Sequence, residues 1–183
     1  MTYSNDWLLE QLQQDKAFKY LYFWGHRPRK DDLIGKSCLS QWFAAGFTHE
    51  GLHYPTAEHW MMRNKALTFN DQTIAAAILA NPDPRAAKAF GKKIADYDYK
   101  TWYNVKHEVV KQGNILKFGQ NPTLNDFLLA TDAIILVEAS PNDAMWGIGM
   151  SATDAERVSP EDWKGTNWLG WCLMEARDAL RAL

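Results

Sequence analysis

A carboxylate and a lysine stand seven residues apart in a segment that predicts a helix, Glu58 and Lys65 within 57–69. Two helical turns place both side chains on one face, about 10.5 Å apart along the axis, too far for a direct ion pair. They can still reach one ligand from its two ends, with Met62 as an apolar floor between them. A carboxylate transfers protons, and a desolvated lysine can act as a nucleophile. The spacing alone favours the alternative, two ordinary solvated helix charges.

A loop rich in glycine and tryptophan is the second candidate, because loops after buried strands often hold site residues. Asp143 can orient a ligand hydroxyl or a catalytic group there, and it can equally cap a turn. Trp146 can stack on a flat base or belong to the core. Gly147 and Gly149 would let the backbone approach a ligand closely.

Composition limits the class of protein. The 183 residues are 46% hydrophobic and 23% charged, typical of one ordinary folded domain. The sequence has neither a signal-peptide pattern nor an apolar run near the roughly 18 residues of a membrane span. Cys38 and Cys172 are single and far apart, which fits two core thiols in a reducing compartment. We therefore expect a cytoplasmic protein.

Charge and aromatic content suggest the kind of ligand. The net charge of -2 creates no general attraction for nucleic acid, but residues 26–30 form a basic run. Asp31 and Asp32 partly cancel this run, so a phosphate site and a solvated loop are about equally favoured. Nine Trp, seven Tyr and eight Phe exceed what packing usually requires, and flat surfaces for bases or sugars are a common use of such an excess.

Periodicity and capping residues predict a single compact, mainly helical α+β domain with a few short strands. Strands are expected at 19–24 and 133–138, with a hairpin at 47–54 that turns at Glu50-Gly51. A loop should run from residue 139 to about Asn167, which can cap the last helix. Helices are expected, after caps such as Asn5 or Asp6, Thr56, Asp83 and Asp98, at 5–16, 57–69, 85–95, 99–118, 123–130 and 168–183. A further helix should begin near Asn70-Asp71 and run through 75–79.

Several stretches resemble the NADAR (YbiA-like) family. In the first half these are Phe23-Trp24-Gly25-His26, Cys38 to Phe43, Tyr54 to His59 and Lys65-Ala66. In the second half they are Gly113 to Phe118, Asn121-Pro122, Leu128 to Thr131, Leu136 to Asp143, Trp146 to Gly149 and Asn167 to Gly170. Gln41-Trp42-Phe43 departs from the Asn-Phe or Asn-Trp pair that is frequent in the family, and 60–64 departs from its Gln-rich segment. The resemblance implies a NADAR domain at 19–183, preceded by a helical extension at 1–18.

The resemblance also implies an N-glycosidase that cleaves the bond between ribose C1 and the exocyclic amine of a guanine-like base. The expected substrates are a phosphoribosylamino-pyrimidine of riboflavin biosynthesis or ADP-ribosyl-guanine, with ADP-ribosylated DNA as a candidate partner and the membrane excluded. Glu58 would move protons, Lys65 could attack C1 to form a Schiff base, and Asp143 would assist them. Substrate-binding residues would be Phe23 and Gly25 beside the ribose, Ser40 and Asn167 on phosphate or sugar oxygens, and Trp146, Gly147 and Gly149.

We predict no metal and no cofactor, because the histidines lack metal-site spacing and His59 fits a structural role. The main alternative is a non-catalytic module that binds ADP-ribose or a nucleotide. Glu58, Lys65 and Asp143 together argue against it, since binding alone does not require that ionisable set. The third possibility, a helical scaffold, is disfavoured by the loop that carries Trp146.

Overall fold

A computed structural model describes residues 2–31 and 33–183, so Met1 and Asp32, the second acid after the basic run, lie outside the described residues. The predicted α+β class is confirmed: helices dominate and the strands are short. The strands are β1 (Tyr20–Phe23), β2 (Phe47–His49), β3 (Leu52–Tyr54) and β4 (Ile135–Glu138). The helices are α1 (Asn5–Gln13), α2 (Ala57–Thr68), α3 (Gln72–Ala80), α4 (Pro84–Gly91), α5 (Tyr99–Gly119), α6 (Pro122–Ala130), α7 (Ala152–Ala155) and α8 (Trp168–Arg181).

Two strands far apart in sequence form the central pair. β1 and β4 are parallel, with Tyr20 opposite Ile135 and Phe23 opposite Glu138. The Ile-Leu-Val run of β4 is buried, as expected for a strand covered on both faces. Because the strands are parallel, their carboxyl ends meet at one edge. That edge therefore brings the loop after Phe23 beside the loop after Glu138.

The long helix α5 organises the helical part. It packs against α8 on one side and α2 on another, while α2 also contacts α3 and α4. The hairpin of β2 and β3 turns at Glu50 and Gly51, whose φ values are 50° and 76°, which confirms the predicted turn. Its Phe47 and Tyr54 pack on Trp60 of α2. This packing fixes the first turn of α2.

Several element ends differ from the prediction. The cap of α1 is Ser4, whose Oγ accepts from the Trp7 N–H, rather than Asn5 or Asp6. Helix α4 ends at Gly91 and not at Ala95, and the Gly91 carbonyl that this leaves at the helix end accepts a hydrogen bond from Lys65 Nζ. The loop expected before Asn167 contains the short α7 and a 3₁₀ turn at Pro160–Asp162.

The N-terminal helix contacts the body of the domain. Leu8 is fully buried, the Tyr3 hydroxyl donates to Asp178 at 2.6 Å, and Asn5 Nδ2 donates to the Gly165 carbonyl at 3.1 Å. The division at residue 18 remains a prediction. Among the described residues, no helix is both long enough and apolar enough to cross a membrane.

Candidate active site

Two joined cavities open where the carboxyl ends of β1 and β4 meet α2 and α4. The smaller has a volume of about 280 Å³ and the larger about 740 Å³. Both are lined by the same five residues: Ser40, Trp42, Lys88, Glu138 and Asp143. The smaller cavity adds Glu58, Met61, Met62 and Trp146, and the larger adds Trp24, Gly25, His26 and Arg27.

Glu58 is a buried acid in the smaller cavity. It lies in the first turn of α2, where its backbone N–H donates to the Gln41 carbonyl at 3.0 Å, and its side chain is 2% exposed. Within residues 2–31 and 33–183, its Oε1 has no hydrogen-bond partner. Burial raises the pKa of Glu58 to about 7, against the opposing effects of Lys88 and Trp42. A carboxyl group with such a pKa can both give and take a proton near neutral pH.

Glu138 brings a second carboxyl group to the same space. It is the last residue of β4, and burial, followed by the negative charges of Asp143 and Glu58, raises its pKa to about 8. In the described part of the chain, its Oε2 also lacks a hydrogen-bond partner. The cavity therefore contains two acids that hold protons well above the usual range for glutamate.

Asp143 shapes the loop that follows β4. Its Oδ1 accepts from the backbone N–H groups of Met145 and Trp146 at 2.9 and 2.8 Å. Asp143 can therefore both cap a turn and act in the site, because the same half-buried carboxyl group lines both cavities. The turn sets Trp146 in the wall of the smaller cavity, with its ring edge-to-face on Trp168.

The wall opposite this loop is the segment from Cys38 to Trp42, which α5 holds in place. Lys117 Nζ donates to the carbonyls of Cys38 and Ser40 at 2.6 and 2.9 Å, and Gln41 Nε2 donates to Asn114 Oδ1 at 3.1 Å. Lys117 is fully buried, and burial lowers its pKa to about 7. These contacts present Trp42, whose ring lies 5.7 Å from Lys88 Nζ.

Lys65 does not line either cavity. Its Nζ donates to the Gly91 carbonyl at 3.0 Å and lies 4.2 Å from the centre of the Tyr97 ring. Burial lowers the pKa of Lys65, and Glu58 opposes this shift. Glu58 and Lys65 share a helix, as predicted, but the lysine that faces the cavity beside Glu58 is Lys88.

The other predicted residues divide into three groups. Ser40 lines both cavities, and Gly25, with φ of 81°, lines the larger one. Phe23 is 1% exposed and belongs to the core. The remaining three, described next, shape the β4 loop instead of lining a cavity.

Asn167, Gly147 and Gly149 shape the backbone around the end of β4. The Asn167 side chain is fully buried, accepting from the Glu138 N–H and donating to the Leu136 carbonyl, both at 2.9 Å. It therefore joins the start of α8 to β4 and lines neither cavity, and its contact with phosphate or sugar oxygens stays a prediction. A Cβ at Gly147 would lie 2.7 Å from the Glu138 carbonyl oxygen, and Gly149 has φ of 66°.

The larger cavity is basic and aromatic. His26 and Arg27 line it beside the 59% exposed Trp24, so part of the basic run faces a cavity. Arg29 instead pairs with Asp31 at 2.5 Å. His26 and Arg27 thus fit the interpretation as a ligand site, and Arg29 fits that of a solvated loop.

Sequence reasoning missed Lys88, Glu138 and Trp42 as site residues. Glu138 carries a signal, because it ends the strand that leads to Asp143. Trp42 belongs to Gln41-Trp42-Phe43, which differs from the Asn-Phe or Asn-Trp pair that is frequent in the family. Lys88 carries none, since it reaches the cavity only through the packing of α4 on α2.

His59, next to Glu58, is a structural residue. It is fully buried, with Nδ1 2.8 Å from Thr56 Oγ1 and Nε2 2.8 Å from the Asn81 carbonyl oxygen. These two contacts of His59 hold the first turn of α2 in place. Thr56 therefore occupies the capping position while its hydroxyl bonds the histidine instead of a backbone N–H.

Comparison with known proteins places this chain in a family. The family model for the NADAR domain matches residues 22–181. The chain is 36% identical over 165 residues to N-glycosidase R617 of Acanthamoeba polyphaga mimivirus, covering 87% of this chain and 95% of that protein. It is 34% identical over 131 residues to N-glycosidase YbiA of Escherichia coli, covering 72% and 73%.

The fold agrees with a solved member. The NMR structure of the Escherichia coli protein YbiA superposes with a TM-score of 0.71 at 28% identity, covering 91% of this chain and 88% of that one. The family match includes the end of β1, the segment before Trp42, α2, α4, β4 and the loop of Asp143, which contribute the residues that line the cavities. The chain therefore belongs to the NADAR family.

Proposed function

We propose that the smaller cavity hydrolyses the bond between ribose C1 and the exocyclic amine of a guanine-like base. The general activity follows from the relatives: the chain is a hydrolase acting on N-glycosyl bonds, the activity named for several of them. The finer assignment is supported above all by Glu58, a buried acid with a pKa of about 7 in a cavity wide enough for a sugar.

The chemistry follows from the lone pair on the exocyclic nitrogen. That pair can move toward C1 while the bond between C1 and the ring oxygen breaks, which gives an imine. Water then adds to C1, the C1–N bond breaks, and the opened ribose is left with an aldehyde at C1. The two protons of the water end on the ring oxygen and on the departing amine. Glu58 takes a proton from the attacking water or gives one to the departing nitrogen, a contribution typically worth ~10²–10⁴-fold.

The surrounding residues fit the parts of this substrate. Asp143 Oδ2, which takes no part in the two turn bonds, suits a ribose hydroxyl, and Trp146 offers a flat surface for the base. Arg27 and His26 in the larger cavity suit a phosphate on the 5′ side of the ribose, and Trp24 suits a second nucleoside beyond it. This division accommodates both a phosphoribosyl and an ADP-ribosyl substrate.

A covalent route through Lys65 remains a second proposal for the attacking group. Its lowered pKa is what a nucleophilic amine requires. The hydrogen bond to the Gly91 carbonyl would have to break first, because it holds Nζ outside the cavity.

The decisive experiment is a side-by-side assay on two substrates, guanine-ADP-ribosylated DNA and the phosphoribosylamino-pyrimidine of riboflavin biosynthesis. Release of the free amine should occur with wild-type protein and be lost in Glu58→Gln. Tight calorimetric binding of ADP-ribose without turnover of either compound would instead identify a binding module.

A further inference from the structure

A groove lies beside the smaller cavity, and Met145 lines both. The groove has a volume of about 310 Å³ and opens at the start of α5 and the start of α8. Its other lining residues are Tyr99, Tyr103, Lys106, Ala144, Thr166 and Trp168. The mechanism proposed above uses none of them.

Lys106 is the charged group of this groove, and its side chain is 1% exposed. Its Nζ lies 3.9 Å from the ring centre of Trp168, 4.3 Å from that of Tyr103 and 5.7 Å from that of Trp146. In the part of the chain that the structure describes, no hydrogen bond or ion pair holds it. Burial lowers its pKa to about 8, with Cys172 and Asp143 acting against the shift, so most of it stays charged at pH 7. Ring faces surround this cation but no carboxylate neutralises it among the described residues, so an anionic ligand can pair with it.

The aromatic side chains around Lys106 are open to solvent. Tyr99 is 54% and Tyr103 is 44% exposed, and their ring centres lie 5.6 Å apart. Tyr103 lies 5.2 Å from Trp168, whose ring meets Trp146 at 6.2 Å. A row of four aromatic rings thus leads from the wall of the catalytic cavity to the surface. Such rows give stacking surfaces for bases.

We propose that this groove binds a phosphorylated nucleoside, with the base on Tyr103 and Tyr99 and the phosphate at Lys106. The inference rests on the proposed function, which it extends to the part of the substrate beyond Trp146. The exposed rings offer a stacking surface for one base, and the cation beside them, which no carboxylate pairs with among the described residues, suits one phosphate. The source is the neighbouring nucleotide of a nucleic-acid strand, because the groove shares no lining residue with the larger cavity, where the nucleoside beyond the 5′ phosphate is placed.

The test measures binding rather than turnover. A fluorescently labelled single-stranded hexadeoxynucleotide is titrated with protein by anisotropy, and adenosine monophosphate is titrated by calorimetry. Tyr103→Ala should weaken the binding of the oligonucleotide by ~5-fold or more, as expected from the loss of one stacked base. Tyr97→Ala is the matched control, because Tyr97 is 43% exposed but contacts Phe69 and Lys65 outside the groove.

Salt dependence tests the cation separately. Lys106→Gln should reduce the slope of log affinity against log salt by about 0.7 for the single strand. Lys16→Gln, on an exposed lysine after α1, should leave the slope unchanged. If Lys106→Gln does not fold, as checked by circular dichroism, Tyr103→Ala still decides the question.

Each outcome has one meaning. A loss for the oligonucleotide, with or without a loss for adenosine monophosphate, supports a strand in the groove, and a loss for adenosine monophosphate alone would overturn the strand in favour of a free nucleotide. Unchanged affinity of Tyr103→Ala for both probes would overturn the groove proposal. Because turnover of the small phosphoribosyl substrate is assayed apart from these titrations, failure of the groove and failure of the catalytic assignment are distinguishable.

Discussion

Glu58 and Glu138 reach one cavity from a helix start and a strand end, and the charge of Glu58 contributes to the raised pKa of Glu138. Lys88 acts on both acids in the opposite direction. The ionisation of Glu138 is therefore linked to that of Glu58. Neutral pH falls within the range where one acid is partly ionised and the other largely protonated.

The first prediction concerns the role of Glu58 in proton transfer. Glu58→Gln keeps the size and polarity of the side chain but removes the proton exchange, so kcat should fall by at least ~10²-fold. The measurement is amine release under saturating substrate. Glu50→Gln, on the exposed hairpin turn, is the matched control and should keep wild-type activity. Near-native activity of Glu58→Gln would remove the residue from the mechanism.

The same substitution should change stability with pH. The folded-state pKa of Glu58 is raised from 4.5 to about 7, so the folded protein binds more protons than the unfolded chain between these values. The stability linked to this group is full below pH 4.5 and is lost as pH rises through about 7. Glu58→Gln cannot ionise, and its free energy of unfolding should exceed that of wild type at pH 8 by up to about 3 kcal/mol.

Urea unfolding at pH 5 and pH 8 measures this difference. At pH 5 the two proteins should differ far less, because Glu58 is then protonated in the folded state. An equal difference at both values would show that packing, rather than ionisation, separates the variants.

Lys88 should set the pH range of catalysis. It lowers the pKa of Glu58 and of Glu138, so Lys88→Gln should raise both. The acidic and alkaline limbs of the kcat/KM profile should then move upward by roughly half to one pH unit. Lys92→Gln, at the end of the same helix, is the control. A profile that keeps its position while KM alone rises would assign Lys88 to substrate binding only.

The fold class and most of the elements could be predicted from the sequence, because periodicity, caps and family motifs are local. The sequence also singled out Glu58 and Asp143, which line the smaller cavity. It could not give Lys88, whose approach to Glu58 depends on how α4 packs on α2. Asn167 shows the opposite case. A polar residue at a helix start reads as a cap or a ligand, yet its amide bonds the backbone of a strand 29 residues earlier in sequence. Such pairings depend on the register of distant elements.

The last prediction concerns Lys65, which shares its helix with Glu58 but lies outside the cavity. If Lys65 attacked C1, both Lys65→Ala and Lys65→Arg would be inactive, because arginine stays protonated and cannot act as an amine nucleophile. If its function is to hold the Gly91 carbonyl at the end of α4, arginine can still donate that hydrogen bond. The observed contact favours the second outcome, so Lys65→Arg should keep the greater part of wild-type activity, with Lys65→Ala more impaired.

Borohydride trapping provides an independent check on Lys65. An imine between a lysine and the opened ribose would be reduced to a stable adduct, visible by peptide mass spectrometry. We expect no adduct on the peptide that contains Lys65, since its Nζ donates to the Gly91 carbonyl and contacts the Tyr97 ring outside the two cavities. Trapping in Lys88→Gln and Lys106→Gln would show whether any adduct elsewhere belongs to those lysines. An adduct on Lys65 together with an inactive Lys65→Arg would establish the covalent route, and α4 would then have to release this side chain during each turnover.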